Sequence, residues 1–349
     1  MNPKIYVKYL LIVLSIFVGY HFTMWHLYTS KIFKPQEGTS VGDLGRMSYQ
    51  ISLLHNRELK YTLEKKHFYK DNFKNQKIDI LTIGDSFSNG HALGENPYYQ
   101  DFLATKLNAK VLNIKPYKKY NSLETIIGLY NNGYLEQLQP KMVIVQSVER
   151  NIIDRFAKKI DYNLKDAKAI VPNKLLKPED FSIKFINTAN YKLPYYTLKY
   201  NFNNNAQKYV YKFSLNKKLF SKGDANEILI FRDDITNLEK FTLDNIQKVN
   251  ENFNKVAKIL KTLDIKLYFM PATDKYDLYY DYIQDNKHPK NPFFELIRPM
   301  EKEYYFVDTK QILLPLLKSG IKDVYWIDDT HWSQKASEAI SKDKIFTNY

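Results

Sequence analysis

IDILTIGDSFSNG, residues 78–90, decides how the rest of the chain is read. IDILTIG (78–84) reads as a buried strand, since a mostly apolar run of this length suits a strand covered on both faces of a parallel sheet. It passes directly into Gly84-Asp85-Ser86. Asp and Ser favour turns because their side chains bond to nearby backbone, so an ordinary turn is the default meaning of such a triplet. Ser86 becomes a nucleophile only if the chain supplies a base from elsewhere.

Downstream the pattern alternates. Asn96-Pro97 is placed to open a helix through Leu107, with Asn as cap and Pro at the first helical position. AKVLNI (109–114) reads as a second strand, NSLE (121–124) has capping-box form and starts a helix toward Leu138, and KMVIVQSV (141–148) reads as a third strand. Residues 155–225, rich in Lys, Asn and Tyr, keep no steady period and are expected to be an irregular insertion, a substrate-facing lid or a subdomain. TNLE (236–239) is a second capping-box sequence, before a helix that carries Ile246, Val249, Phe253, Val256, Ile259 or Leu260, and Leu263 at helical spacing. IKLYFMP (265–271) and YYFVDT (304–309) complete five strands, with QILLPLLKSG (311–320) a short helix between the last strand and the C-terminal segment. Strands alternating with helices at this spacing predict an α/β fold with a parallel central sheet covered on both faces.

The 349 residues carry a formal net charge of +14 and no cysteine. Without thiols there can be no disulfide, thiolate zinc site or cysteine nucleophile. The lysines are scattered, with no basic arm and no nucleic-acid motif, so the excess positive charge favours anionic surfaces in general rather than nucleic acid. At the N-terminus Lys4 and Lys8 precede residues 9–28, which hold no Asp, Glu, Lys or Arg. Twenty such residues span about 30 Å, the hydrocarbon thickness of a bilayer. The expected organisation is a cytoplasmic tail (1–8), a transmembrane signal anchor (9–28), a juxtamembrane stalk (29–75) with a helix within residues 48–68, and an exported catalytic domain (76–349).

The missing base lies near the C-terminus, in DDTHWS (328–333). Ser333 is placed to cap a final helix bearing Ala336, Ala339 and Ile340, which puts His331 on the loop at its start. A serine behind an early strand, with a histidine and a nearby aspartate on a late loop, supplies the parts of an acyl-transfer triad. In open α/β sheets such loops gather at the carboxyl ends of the strands. No other histidine has a partner at ligand spacing, so neither a metal nor a cofactor is expected. His91 reads as a loop residue rather than a second base.

These two blocks resemble those of the SGNH/GDSL hydrolase superfamily: Gly84-Asp85-Ser86-Phe87-Ser88 is similar to its nucleophile block and Asp328-Asp329-Thr330-His331 to its last block. DTHW followed by Ser, VERN (148–151) and MPATDKYDLYY (270–280) are similar to the branch of alginate-type and peptidoglycan O-acetyltransferases. The resemblance covers residues 78–151 and 226–345 and implies a three-layer, flavodoxin-like α/β/α fold. It implies Ser86 as nucleophile, His331 as general base, and Asp328 or Asp329 as orienting acid, with Asp328 slightly preferred on the superfamily's usual Asp-x-x-His spacing. For the oxyanion hole it implies the Ser86 amide plus donors after the second and third strands. No glycine occurs in KPYKKYNS (115–122), so Asn121 or Tyr120 stands in for one, and Asn151 is the candidate asparagine. Arg150 and Lys275 are candidate contacts to an anionic substrate, with a structural ion pair at the strand end an equal alternative for Glu149-Arg150.

The resemblance further implies a membrane-anchored, extracytoplasmic serine O-acyltransferase. Its acceptor would be a surface polysaccharide or peptidoglycan, and its acyl supplier a multi-spanning partner of the membrane-bound O-acyltransferase kind. An esterase using the same triad, or a glycan-binding assembly protein with a vestigial triad, are the alternatives.

Overall fold

A computed structural model describes residues 3–33, 39–49, 55–56, 61–69, 76–89, 98–117, 119–165, 185–222 and 226–347. His91, Asn96 and Pro97 lie outside the described residues, as does 166–184 of the insertion.

Eight strands matter to the site: β1 (Phe68–Tyr69), β2 (Ile80–Ile83), β3 (Val111–Ile114), β4 (Met142–Val148), β5 (Val210–Ser214), β6 (Glu227–Phe231), β7 (Lys266–Ala272) and β8 (Tyr305–Phe306). Six of them form one sheet, in the order β8-β7-β4-β2-β3-β1, with every pairing parallel. The longest pairing runs from Met142 beside Lys266 to Val148 beside Ala272. β2 sits between β3, the next strand in sequence, and β4, the one after, so strand order reverses across it. Such a reversal opens a crevice at the carboxyl ends of the strands, and Ser86 follows β2 there.

Successive residues of the buried strands feed opposite cores, as the two-residue period of a pleated strand requires. Ile80, Val111, Ile144 and Met270 pack with Leu103, Leu313 and Ile340 on one face. Leu81, Leu112, Val145 and Phe269 pack with Ile126, Val249 and Phe253 on the other. Helices therefore cover both faces, as the alternation predicts.

The helices needed here are α1 (Pro3–Met24), α2 (Asp43–Ser48), α3 (Ser86–Asn89), α4 (Tyr99–Lys106), α5 (Ser122–Asn131), α6 (Ala189–Lys199), α7 (Leu243–Lys261), α8 (Thr309–Lys318) and α9 (Gln334–Ser341). Two of the expected caps hold. Asn121 accepts from the Glu124 amide while Glu124 accepts from the Asn121 amide, and the Ser333 hydroxyl accepts from the Lys335 amide. TNLE does not cap α7, because Leu238–Lys240 forms a separate 3-10 turn and Thr242 supplies the cap by accepting from the Asn245 amide. The stripe itself is as expected: Ile246, Val249, Phe253, Val256 and Leu260 are fully buried. α4 begins at Tyr99 behind Tyr98, where the side chain of Asp101 accepts from the Tyr98 amide.

Two expectations about the N-terminal third change. Apolar α1 continues through a π turn (Trp25–Thr29) and Ser30–Phe33, and it is long and apolar enough to cross a membrane. Its upper end belongs to the body, however, since His21, Trp25, Thr29 and Ile32 are buried. Within the stretch read as a stalk, residues 41–48 are likewise packed in, with Val41, Leu44, Gly45 and Ser48 buried. The helix expected within residues 48–68 is absent from its described last part, where 61–67 form no regular element and Phe68 begins the edge strand β1. Backbone pairing with β3 outweighs the weak helical pattern of a lysine-rich tract, because tertiary contacts override intrinsic preference.

The insertion is also less separate than expected. β5 and its antiparallel partner β6 form a hairpin whose Val210, Ile228 and Ile230 are fully buried in the core of the body. The Leu229 amide donates to the carbonyl of Ile327, which puts this hairpin directly behind the segment carrying His331.

Candidate active site

Ser86 opens α3, a single turn at the carboxyl end of β2. Its position is set by polar contacts beneath it. The side chain of Gln146, on the adjacent β4, accepts from the Asp85 amide at 3.1 Å and from the Ser88 hydroxyl at 2.8 Å. Asp85 accepts from the Phe87 amide at 3.2 Å, from the Val148 amide at 2.7 Å and from Arg155. Burial works against ionising Asp85, but the Arg155 guanidinium and the Val148 amide hold its carboxyl below the usual range. Gly84 has no room for a side chain: a Cβ there would stand 2.2 Å from the Ser88 hydroxyl and 2.5 Å from Gln146 Oε1.

The late loop meets this turn. His331 Nε2 lies 2.7 Å from Ser86 Oγ, and His331 Nδ1 lies 2.7 Å from Asp329 Oδ1. Asp329 also accepts from the His331 amide at 3.1 Å. The ring packs against Phe87, with centroids 4.8 Å apart. Ser86 is half-buried and His331 is 6 % exposed, so the hydroxyl can be reached from solvent while the imidazole is shielded. Burial disfavours the imidazolium, yet the hydrogen bond and charge of Asp329, followed by the charge of Asp43, raise His331 above its ordinary 6.5.

Asp329, rather than Asp328, is thus the acid beside His331. Asp328 points the other way, where Oδ2 accepts from the Gly42 amide at 2.7 Å and its carbonyl accepts from the Gly45 amide at 2.9 Å. Its role is to fasten α2 to the loop.

The same contact brings in a residue that sequence reasoning missed. Asp43, at the start of α2, accepts from the Thr330 amide at 2.8 Å and also from the Thr330 hydroxyl, and its Oδ2 lies 3.9 Å from His331 Nδ1. Nothing local marked it, because it comes from a tract read as stalk. Burial, and then the neighbouring Asp329 charge, raise the Asp43 carboxyl above the usual carboxylate value. Asp43, Asp329 and His331 offer donor atoms within 4.8 Å of one another, the one group among the described residues spaced to hold a metal ion. Those atoms are engaged with Thr330 and with each other.

Lys275 has a different part from the one expected. It is 1 % exposed, and its ammonium donates to the carbonyls of Trp326 at 2.7 Å, Ile327 at 2.7 Å and Asp329 at 3.1 Å. Three carbonyls on one ammonium match its three donors. The residue pins the loop that carries His331 and reaches no substrate. Burial drives it down to about 7, against the pull of Asp328 and Asp329. Lysine is so frequent in this chain that the role had no sequence signature.

Arg150 is also structural. Its guanidinium pairs with Asp274 at 2.8 Å and Asp234 at 3.0 Å, both buried, so the expected ion pair exists with partners other than Glu149. Glu149 accepts from the Asp274 amide at 2.7 Å, and burial together with Asp277 and Asp274 pushes it well above the usual carboxylate range.

The oxyanion candidates divide. The Ser86 amide is the first of α3 and so has no acceptor within its own helix. Asn121 has its backbone amide on Glu124 and one of its two Nδ2 hydrogens on the Arg155 carbonyl at 2.9 Å. It lines the cleft, as does Tyr120, but its backbone N–H, the donor expected to replace a glycine amide, is turned to Glu124. Asn151 lies in the 3-10 turn Glu149–Asn151, half-buried and outside the described cleft lining.

The cleft itself, about 930 Å³, has Ser86 on its floor and Tyr117, Tyr120, Asn121 and Arg155 on its walls. Lys115, Lys119, Lys158 and Lys159 on its rim outnumber Glu124 and Asp154. The arrangement can take a proton from Ser86 onto His331 Nε2 and hold the resulting imidazolium against Asp329 and Asp43. No family model matches the chain, and no curated protein matches it.

Proposed function

We propose that the chain is a membrane-anchored serine O-acyltransferase that forms an acyl-enzyme on Ser86 and passes the acyl group to a hydroxyl of an extracytoplasmic glycan. The observation that carries the proposal is the unbroken chain Asp329–His331–Ser86, with both links at 2.7 Å. In the first half-reaction His331 takes the Ser86 proton as Ser86 Oγ attacks the acyl carbonyl, and returns it to the leaving group. In the second it takes the acceptor's proton as that hydroxyl attacks the acyl-enzyme, and gives it to Ser86 Oγ as the acyl C–Oγ bond breaks. A half-exposed serine in an open, lysine-rimmed cleft suits a polar or anionic glycan better than a deeply buried small molecule.

Two further features support the reading. With the five strands after β1 numbered in chain order, the sheet runs 2-1-3-4-5, the order of the flavodoxin-like doubly wound fold, and this agrees with the SGNH-like blocks that hold Ser86 and His331. α1, whose first two turns carry Lys4 and Lys8, suits a single-pass anchor with the body on the extracytoplasmic side, where the acyl supplier would be an integral membrane partner.

The test uses the full chain in detergent with a fluorophosphonate probe, followed by an activated acetyl ester with and without glycan oligomers. Labelling that Ser86→Ala abolishes, with acetylated glycan exceeding free acetate, is the expected result. Free acetate alone identifies an esterase, and absence of labelling in the folded chain rejects covalent turnover.

A further inference from the structure

Outside α1 and its π turn, the exposed large apolar side chains among the described residues are concentrated in one place. Seven lie between Phe185 and Tyr209, and only Leu243 and Ile321 lie elsewhere. Within that segment Tyr191, Tyr195, Leu198 and Phe202 follow one another at spacings of four, three and four, which is one stripe along α6 and the turn after it. They are 48 %, 56 %, 62 % and 84 % exposed. An apolar stripe of this kind on an otherwise polar body marks a surface that something covers.

The position of α6 says what covers it. Its first residues are bonded to the upper end of α1: the Tyr20 hydroxyl donates to the Asn190 carbonyl at 2.7 Å, His21 Nε2 meets the Tyr191 hydroxyl at 2.8 Å, and Asn190 Nδ2 meets His21 Nδ1 at 2.8 Å. The Tyr20 and Tyr191 rings stack with centroids 5.3 Å apart. These contacts fix the height of α6 along α1. A bilayer core of about 30 Å takes about 20 helical residues. Counted from Tyr9, the first residue after Lys8, such a span ends near Tyr28, so α6, docked at Tyr20 and His21, meets α1 within about 12 Å of the outer end of that span.

We propose that the stripe Tyr191–Tyr195–Leu198–Phe202 lies at the headgroup–acyl boundary of the same bilayer that α1 crosses, so that the body rests on the membrane by two elements rather than hanging from one. The proposal rests on the reading of α1 as a membrane anchor. Aromatic rings are the side chains that favour this depth. Exposed Lys192 and half-buried Lys199, whose ammonium stands 5.4 Å from the centre of the Tyr195 ring, place cations where anionic headgroups would be. Two contact points restrict rotation of the body about α1 and hold the Ser86 cleft at one orientation to the membrane surface.

The absence of native cysteine makes the test direct. Full-length chains carrying Val13→Cys, Leu198→Cys, Phe202→Cys or Glu303→Cys are labelled with a nitroxide in vesicles of phosphatidylethanolamine and phosphatidylglycerol, and collision with oxygen is compared with collision with a water-soluble nickel chelate. The expected oxygen-to-nickel ratio at positions 198 and 202 is about threefold or more above that at Glu303 and below that at Val13, as for an interfacial helix. Ratios equal to that at Glu303 overturn the proposal. Val13 then separates the causes: a high ratio there keeps the anchor and rejects the α6 contact, whereas a low one rejects the anchor as well. Spin–spin broadening at position 198 that disappears on dilution with unlabelled chain would identify a second copy as the occupant and also overturn it.

Discussion

Asp43→Asn tests whether the second carboxylate acts on the imidazole or merely fastens the loop. The substitution removes a charge 3.9 Å from His331 Nδ1 and leaves an amide able to keep the bond from the Thr330 backbone. Two unit charges at that distance interact by about 1 kcal/mol with full water screening and by about 4 kcal/mol at an effective dielectric of about 20. At about 1.4 kcal/mol per pH unit this is a shift of between ~0.8 and ~3 units. The Asp43 side chain is 28 % exposed, so solvent screens its charge from the ring. That places the expected shift at the lower end, about 1 unit. The sign follows from the chemistry. Only neutral His331 can accept the Ser86 proton, and Asp43 favours the charged form. Wild-type labelling should therefore fail on the acid side at a pH above 6.5, the ordinary value for the group. Removing Asp43 should move that limb about 1 unit toward acid. The assay is the rate of fluorophosphonate labelling against pH, with melting temperature followed in parallel. A limb that stays in place or moves upward, in a variant with unchanged melting temperature, refutes the electrostatic role. Equal loss at every pH would mean that Asp43 matters only through Thr330.

Asp329→Asn should slow labelling by about 10⁴-fold by removing the charge that stabilises the imidazolium and by favouring the wrong ring tautomer, whereas Asp328→Asn, which can still accept from Gly42, should stay within about tenfold of wild type; the reverse order would reject the assignment of the acid. Lys275→Met removes the donor shared by three buried carbonyls, and at about 1 kcal/mol or more per unsatisfied group it should lower the melting temperature and cost most of the labelling. Unchanged thermal unfolding would show that the loop does not depend on it. Gly84→Ala should cost about 1–3 kcal/mol in denaturant unfolding, because the Ser88 hydroxyl and Gln146 must move to admit a methyl group.

Sequence order alone determined the periodic parts of this protein. A four-residue buried strand, a capping box at Asn121, a serine cap at Ser333 and an apolar stripe on α7 are local patterns, and each is enforced by backbone hydrogen bonding or by burial of one face. Ser86 and His331 were legible because each is tied to the end of such an element. The flanking roles were decided only by tertiary structure. Adjacent Asp328 and Asp329 are chemically identical, and their separate duties depend on which way a loop without periodicity turns each side chain, one toward Gly42 and one toward His331. Asp43 reaches the imidazole from 288 positions away in the chain, and Lys275 reaches the Asp329 carbonyl from 54, through contacts that carry no repeat and no spacing rule. A buried cation or carboxylate is assigned by the partners that offset its desolvation, and those partners exist only once the sheet has brought distant loops together.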